Sequence, residues 1–340
     1  MAPPQEFAKF CYTVPNTDHT LDTNIRLRAL DDNDNNPRSN PTHTLGALSI
    51  LPLELLDMVL AQLDLRSLTT LRLVNKRSRE AVDAGTRYQQ VITHARVVLQ
   101  AALFIGTANF TTCQDLYTEL CTGECRTCGD FGGYIYLLTC RRVCFRCFTN
   151  EIEYLPLSPS EVKRLFGVGA RDIENFSIPL LRSVAGFYSC RGQKWNRSLV
   201  LVDRVSARTA GIALRGGVEA MEQHVQNQAR NAQQLYVSRV AAGGIPRAPR
   251  TLETVDEGEA NPRRFMGVVR APALGVGGLD WGVRCLGCKN EYRPKPSGLH
   301  WLRLFTWEGL EEHIREYGEV KEEKVLDYVI GYKHCSVEGS

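Results

Sequence analysis

The chain has 340 residues, of which 43% are apolar and 23% charged, and its formal net charge is +3. This composition is ordinary for folded protein, and the length allows about two domains. So small a net charge does not by itself indicate a nucleic-acid or membrane partner.

Residues 1–44 are predicted to be disordered. They include the stretch DDNDNNPRSNPTHT, which is rich in Asp, Asn and Pro and short of apolar residues. The opening MAPPQEFAKFCYTVPNTDHT lacks the basic start and apolar centre of a secretory signal. No later window holds eighteen uncharged apolar residues that could cross a bilayer. We therefore expect a cytoplasmic or nuclear protein with reduced thiols and no membrane partner.

Three short helices are predicted between residues 48 and 84. Pro52 suits the first position of the first helix. Apolar residues recur at helical spacing along that helix: Leu55, Leu56, Val59, Leu60 and Leu63. Asp64 can cap a second helix, and Asn75 can cap a third. Three helices of this length cannot bury so many leucines by themselves, so these side chains pack either on the rest of the chain or on a partner.

Six of the twelve cysteines fall between residues 121 and 147. Four of them form two C-x2-C pairs that are fifteen residues apart: Cys125, Cys128, Cys144 and Cys147. Zn²⁺ is held tetrahedrally by four such thiolates, and a C-x2-C turn directs two of them at one ion. The stretch GGYIYLLT between the pairs is predicted to form a strand. The sequence therefore predicts a structural zinc site, closed by four cysteines and with no open position for catalysis.

Cys121 and Cys140 precede the two pairs in matching C-x3-C-x2-C frames. They are alternate ligands for this ion, ligands for a second ion, or residues that only pack. The whole set could instead be buried as small apolar residues, although two correctly spaced pairs favour metal. A redox site of the thioredoxin type needs a C-x-x-C beside a βαβ pattern, and none is apparent. Zinc is therefore the cofactor that the cysteines predict.

The part of the chain after the cysteine pairs is predicted to be mixed in structure. Residues 217–240 are typical of a polar helix with a sparse apolar stripe, and the Gly, Pro and charged residues of 241–264 are typical of an exposed loop. Trp301, Phe305 and Trp307 could form a binding patch, but the spacing of Trp301 and Phe305 suits the inner face of a helix, and we expect core. No H-E-x-x-H, G-x-S-x-G or Walker sequence is present, so no catalytic residue is predicted.

Residues 48–84 resemble the F-box. The resemblance rests on L-P at 51–52, E-L-L at 54–56, L-x-L at 63–65, S-L at 67–68 and L-V-N-K-R at 73–77. F-box proteins dock this trihelical module on the Skp adaptor of cullin-based ubiquitin ligases. The resemblance implies that apolar side chains of the module bind the adaptor: Leu51, Pro52, Leu55, Leu56, Leu60, Leu63, Leu65 and Leu68.

A second, looser resemblance extends over the rest of the chain. The F-box-like segment, the run C-x2-C…YIYLLTC…C-x2-C and the later GVRCLGC are similar to a family of filamentous-fungal F-box proteins. In that family the late C-x2-C, here Cys285 and Cys288, is commonly followed by H-x3-C on a helix. The resemblance implies a second metal site with His313 as a ligand, but Tyr317 stands where the last cysteine would be. Candidates for the fourth ligand are His300, His334 and Cys335. The alternative is a knuckle that only packs.

Two functions from different classes remain. The first is a non-catalytic substrate-recognition subunit of a Skp–cullin–F-box ubiquitin ligase, which binds an unknown protein substrate and reaches the cullin through the adaptor. The second is a zinc-stabilised nucleic-acid or chromatin-binding protein. A nucleic-acid binder should show a basic stripe that displaces counterions, whereas the one dense basic run, KRSRE, lies inside the F-box-like segment. The ligase subunit is therefore favoured, and a nucleic-acid partner is not expected.

The predicted fold class is mixed, mainly α with small β elements, in which an N-terminal trihelical F-box precedes a zinc-stabilised irregular α+β region. The predicted divisions are a disordered segment at 1–44, the F-box at 45–90, a cysteine-rich α+β region at 91–240, an exposed linker at 241–264, and a C-terminal region with the second C-x2-C and a helix at 265–340.

Overall fold

The computed structural model describes residues 10–12, 18–25, 44–252, 256–275, 278–289, 302–325 and 328–334. Its helices are α1 Leu53–Ala61, α2 Leu65–Val74, α3 Lys76–Ala84, α4 Thr86–His94, α5 Arg96–Ile105, α6 Cys113–Cys121, α7 Phe145–Asn150, α8 Pro159–Phe166, α9 Ala170–Asn175, α10 Arg204–Arg215, α11 Val218–Ala241, α12 Leu286–Lys289 and α13 Trp307–Tyr317. Its strands are β1 Cys11–Tyr12, β2 Tyr134–Tyr136, β3 Arg141–Val143, β4 Leu180–Arg182, β5 Gly186–Tyr188, β6 Gln193–Trp195, β7 Val200–Val202, β8 Val268–Arg270, β9 Ala273–Gly275, β10 Gly278–Asp280, β11 Arg284–Cys285, β12 Val320–Val325 and β13 Tyr328–His334. The predicted fold class, mainly helical with small strands, is confirmed. Within the described ranges, no helix has both the length and the apolarity that crossing a bilayer requires.

Helices α1–α3 form the predicted trihelical unit, and their caps are those that the sequence predicts. Asp64 accepts a hydrogen bond from the backbone N–H of Ser67 (2.9 Å), and Asn75 accepts one from the backbone N–H of Ser78 (2.8 Å). Each bond satisfies a donor that the first turn of a helix leaves open. Pro52 is the N-cap of α1, one position earlier than predicted, where its missing N–H is equally harmless.

The trihelical unit is joined to the cysteine-rich region rather than being a separate module. The backbone N–H of Leu65 donates to the carbonyl of Thr111 (2.9 Å), and that of Cys113 donates to the carbonyl of Leu63 (3.2 Å). One hydrophobic cluster runs from the buried leucines of α1 and α2 through α4–α6 to the strands that follow. Because protein cores are close-packed, a defect in the cysteine-rich region can reach the trihelical unit through this shared core.

The strand predicted in GGYIYLLT is confirmed as β2, the centre of a three-stranded antiparallel sheet in the order β3-β2-β8. Ile135 pairs with Arg142 on one side and with Val269 on the other. Tyr134, Ile135 and Tyr136 are all buried, because both faces of the central strand are covered, and this accounts for the continuous apolar run. Strand β8 thereby attaches the C-terminal region to the cysteine-rich region.

Two smaller hydrophobic clusters also lie within the described residues. The first includes Met221 of α11 with buried residues of α8, α9 and α10, and α11 confirms the predicted long polar helix. The second surrounds the late C-x2-C and contains Phe305, which pairs with Val283 in an isolated β-bridge. Phe305 is therefore core, as expected, although it does not lie on a helix; Trp301 lies outside the described residues.

The prediction that residues 1–44 are disordered is wrong for residues 10–12 and 18–25. Leu21 is fully buried in the first hydrophobic cluster, and Cys11–Tyr12 pairs with β11 as an antiparallel strand. Asp18 forms a buried ion pair with Arg284 (2.9 Å) and accepts a hydrogen bond from the hydroxyl of Tyr134. These partners are more than a hundred residues away, so the composition of the segment itself carries no trace of them.

The predicted exposed loop at 241–264 also differs from the structure at its C-terminal end. Arg264 is fully buried, forms an ion pair with Asp256 (2.5 Å) and donates to the carbonyls of Phe148 and Glu151 (2.8 and 2.7 Å). A buried arginine is stable only where its donors and its charge are satisfied, as they are here. Residues 256–264 therefore belong to the packed part of the chain, although their composition is typical of a loop.

Candidate functional site

The four predicted ligands of the first metal site lie together. The sulfur atoms of Cys125, Cys128, Cys144 and Cys147 are all within 4.8 Å of one another, and those of Cys128 and Cys144 are 3.6 Å apart. Four sulfurs bound tetrahedrally at ~2.3 Å from one Zn²⁺ would be about 3.8 Å apart. The arrangement is therefore of the size that a single tetrahedral ion requires.

Local backbone structure positions each pair of this first cluster. The N–H of Gly129 donates to the carbonyl of Cys125 (3.0 Å), and the left-handed φ of Gly129 (79°) closes the turn, which favours glycine. Cys144 is the N-cap of α7, and its sulfur accepts a hydrogen bond from the backbone N–H of Cys147 (3.4 Å). Hydrogen bonds from Cys144 and Cys147 lower the pKa of the Cys125 thiol. The same hydrogen bonds raise the pKa of the Cys144 and Cys147 thiols, so Cys125 is the thiolate that its neighbours stabilise within the cluster.

The two alternate ligands lie outside this cluster. Cys121, the last residue of α6, is exposed, and Cys140 is buried in the first hydrophobic cluster. Burial is the main cause that raises the pKa of the Cys140 thiol, so this residue is held as a neutral, packed side chain. Of the six cysteines between residues 121 and 147, the structure brings Cys125, Cys128, Cys144 and Cys147 together.

A second cluster forms around the late C-x2-C and includes a fourth ligand. Its members are Cys285, Cys288, His313 and His334, whose ligand atoms are all within 4.8 Å of one another. The Nε2 atom of His334 is 3.3 Å from the sulfur of Cys285, and the Nε2 atom of His313 is 3.2 Å from that of Cys288. Of the three predicted candidates for the fourth position, His334 is the one in place; His300 and Cys335 lie outside the described residues.

Neighbouring groups orient the two histidines of the second cluster. The Nδ1–H of His334 donates to the carbonyl of Gly318 (2.8 Å), which leaves Nε2 free to bind a metal. The ring of Tyr317 packs against the ring of His313, with centroids 4.7 Å apart. Tyr317 thus supports the ligand His313 at the place where the resemblance implies a cysteine. A hydrogen bond from Cys288 is the main cause that lowers the pKa of the Cys285 thiol to about 2.

The predicted adaptor-binding residues divide into a core set and a surface set. Leu56, Leu60, Leu65 and Leu68 are buried, Leu51 and Leu63 are half-buried, and Pro52 and Leu55 are exposed. The buried four pack inside the trihelical unit and against α4–α6. They hold the unit together, and only the exposed and half-buried members are accessible to a partner.

The trihelical unit also exposes apolar residues that sequence reasoning did not assign to the site. They are Ile50, Leu53, Met58, Val59, Leu73 and Val74. We call these six residues and Leu55 the exposed apolar face. Leu55, Met58 and Val59 are three or four residues apart and therefore share one side of α1. Leu53 is 74% exposed and Met58 58% exposed. The signal was in the sequence, since apolar residues cover more of α1 than its single inward face needs.

Comparison with known proteins supports the identification of this unit. The family model of the F-box domain matches residues 48–89. No curated protein and no solved structure matches the chain, so the looser resemblance to filamentous-fungal F-box proteins stays a prediction. The matched residues are those of α1–α3 and the first turn of α4. The chain therefore carries an F-box domain.

Proposed function

We propose that the chain is the non-catalytic substrate receptor of a Skp–cullin–F-box ubiquitin ligase. The F-box domain at residues 48–89 supports docking on a Skp-type adaptor and, through it, on a cullin. A receptor of this kind makes and breaks no bonds itself. It raises the rate by holding a substrate lysine close to the ubiquitin that another subunit delivers, so effective concentration provides the catalysis. The reduced thiols of both clusters suit the cytoplasm or nucleus.

The exposed apolar face is the observation that carries this proposal. Soluble monomers seldom expose so many large apolar side chains in one short segment, and such patches mark protein interaction sites. Burying apolar surface favours association by about 25 cal/mol per Å² before the entropic cost of binding is subtracted. Leu55, Met58 and Val59 on α1, together with Leu73 and Val74 at the end of α2, offer such surface without taking part in the internal core. The adaptor is thus expected to cover this face.

We also propose that both clusters hold zinc. Four sulfurs, or two sulfurs with two imidazole nitrogens, are the ligand sets that tetrahedral Zn²⁺ prefers. Both sets are complete within the described residues, and neither leaves an open position for a catalytic water. The role of the metal is then structural: it ties the turn at Cys125 to α7, and it ties α12 to α13 and to the end of β13.

Adaptor capture tests the proposed function. A Leu55→Asp, Met58→Asp double variant places two charges on the exposed apolar face, and an Asn175→Asp, Asn196→Asp variant places the same two charges on exposed residues outside the F-box domain as the control. Each interface anchor contributes about 2 kcal/mol or more, and 1.4 kcal/mol is tenfold in affinity. We expect the double variant to bind a purified Skp-type adaptor at least about a hundredfold more weakly than wild type, as measured by calorimetry, and the control to bind normally.

The fold of both variants is verified by circular dichroism and by metal content, because the replaced side chains are exposed and should leave both unchanged. If the folded double variant binds the adaptor as tightly as wild type, the exposed apolar face is not the docking surface. If wild-type protein does not bind the adaptor at all, the ligase proposal is wrong and the zinc-stabilised nucleic-acid-binding alternative takes its place.

The second cluster makes a separate prediction about His334. A His334→Ala variant should lose most of one metal equivalent while it keeps the metal of the first cluster, because a three-ligand site binds zinc less tightly than a closed one. Tyr317→Phe is the control, since its ring packs on His313 without being a ligand. Metal analysis of both proteins gives the answer, and equal metal contents would exclude His334 as a ligand.

A further inference from the structure

Helix α11 has two halves with different surroundings. Its first half packs on α8 and α10, where Met221 and Val225 are buried. The packing is close, because a Cβ built on Gly211 of α10 would lie 3.0 Å from the sulfur of Met221. No side chain between residues 226 and 241 is buried. The second half of the helix is therefore exposed along its length, and we call residues 226–250 the α11 arm.

The apolar stripe that packs the first half of α11 continues along the arm. Its members are Met221, Val225, Ala229, Ala232, Tyr236 and Val240, successive members being three or four residues apart and so on one side of the helix. Leu235 and Val237 stand beside the stripe and are about half exposed. Isolated helices of this length are marginal in water without packing. The stripe is buried in the first half of α11 and exposed in the second half. This difference indicates that a partner covers the arm.

The arm carries positive charge only. Between residues 223 and 252 the sequence has four arginines and no lysine, aspartate or glutamate. The four are Arg230, Arg239, Arg247 and Arg250, and all are exposed. Arg239 lies in the last turn of α11, where a cation complements the helix dipole, but that explanation does not extend to the other three. Arg239 adjoins Tyr236 of the stripe, Arg247 and Arg250 follow the end of α11, and none of the four cations has a carboxylate in its own segment.

From these two features we infer that the α11 arm is a docking surface for an acidic protein surface with an apolar groove that accepts one helix. Helix-in-groove recognition uses apolar anchors at this spacing, and carboxylates at the rim of the groove would pair with the arginines. A second copy of the chain is a poor occupant, because like charges would meet. Nucleic acid would leave the stripe unused, and membrane-surface helices carry the bulky Trp, Phe and Leu anchors that this stripe lacks.

The position of the arm suits substrate binding. Helix α11 packs on the hydrophobic cluster that contains Val162, Phe166 and Ala207, and no residue of the F-box domain belongs to that cluster. The exposed apolar face and the arm are therefore distinct surfaces, so that adaptor and partner can be bound together. The inference that the partner is the substrate of the ligase rests on the proposed function; the inference of an acidic, apolar-grooved partner does not.

The inference is tested by fluorescence anisotropy with defined acidic polymers and the full-length protein. The probe is a labelled random copolymer of glutamate and tyrosine; polyglutamate, and a copolymer of lysine and tyrosine, are the comparison polymers. We expect the glutamate–tyrosine copolymer to bind at least about tenfold more tightly than polyglutamate, because anchors in apolar contacts dominate affinity, and the lysine copolymer not to bind. Raising the salt concentration should weaken binding.

Three pairs of substitutions in the arm make the test specific. Tyr236→Ser with Val240→Ser removes the end of the stripe, and Arg239→Glu with Arg247→Glu reverses two charges; each should weaken binding of the glutamate–tyrosine copolymer about tenfold or more. The control pair, Asn227→Ser with Gln234→Ser, lies on the opposite side of the helix and should have no effect. Binding that is unchanged in both site variants, or equal for polyglutamate, would overturn the inference.

Two further measurements separate the inference from its rivals. Tighter binding to duplex DNA, or to vesicles of phosphatidylcholine and phosphatidylserine, than to the copolymer would overturn it in favour of a nucleic-acid or a membrane partner. Adaptor binding is measured on the same arm variants and should equal that of wild type. A protein that binds the copolymer through the arm but binds no adaptor would disprove the ligase proposal while it supports the arm as a docking surface.

Discussion

Replacement of Cys125 or Cys147 by serine is expected to prevent folding to a stable native state. Structural zinc contributes on the order of 10 kcal/mol to the folding of small zinc domains, which is comparable with the whole net stability of a typical domain, about 5–15 kcal/mol. Both sulfurs are buried within the first hydrophobic cluster. That cluster also contains the buried leucines of the F-box domain, so loss of the metal should expose the F-box to proteolysis as well.

Cys121→Ser is the matched control for this prediction, because Cys121 is exposed and lies outside the metal cluster. Metal analysis of wild type should give two zinc equivalents per chain, and Cys121→Ser should give the same value. Limited proteolysis and thermal unfolding then compare the three serine variants. A Cys125→Ser protein that is folded, protease-resistant and as rich in zinc as wild type would remove the first metal site from the proposed structure.

The features that the sequence predicted are those that depend on neighbouring residues. Asp64 and Asn75 cap their helices through contacts three residues away, and each C-x2-C turn brings its own two sulfurs together. The strand β2 was predictable because an apolar, β-branched run between turn residues has few alternatives. The assignment of both C-x2-C pairs to one metal ion also followed from the sequence, because their separation is one that is common in zinc sites.

The features that could not be predicted depend on contacts between distant segments. Which leucines of α1 are buried is decided by α4–α6, so Leu56 and Leu55 could not be separated from the F-box residues alone. His334 reaches Cys285 from 49 residues away, and nothing local distinguished it from His300. Leu21 joins the core from within a polar segment. In each case, tertiary packing outweighs local pattern and composition.

Arg142 is the clearest instance of a role that its local sequence conceals, and it makes the last prediction. It follows the exposed Arg141 in β3, yet it is fully buried. Its guanidinium donates to five backbone carbonyls: those of Gly132 (2.5 Å), Pro272 (2.7 Å), Glu119 (2.8 Å), Ala271 (3.3 Å) and Leu120 (3.4 Å). Burial is the main cause that lowers the pKa of Arg142 to about 10. One side chain thus ties α6 and the first metal loop to the segment before β9.

An Arg142→Met variant is expected to lose about 5 kcal/mol of stability or more. Methionine fills a similar volume but donates no hydrogen bond, and each buried carbonyl left without a partner costs about 1–3 kcal/mol. Arg141→Met, one residue earlier and exposed, should change stability by no more than about 0.5 kcal/mol. Because the carbonyl of Arg142 also accepts from the N–H of Arg126, inside the first C-x2-C turn (2.9 Å), the variant should also release zinc to a chelator faster. Denaturant unfolding of the Arg142→Met and Arg141→Met variants tests this prediction. Equal unfolding midpoints would mean that water satisfies these carbonyls and that Arg142 is dispensable for stability.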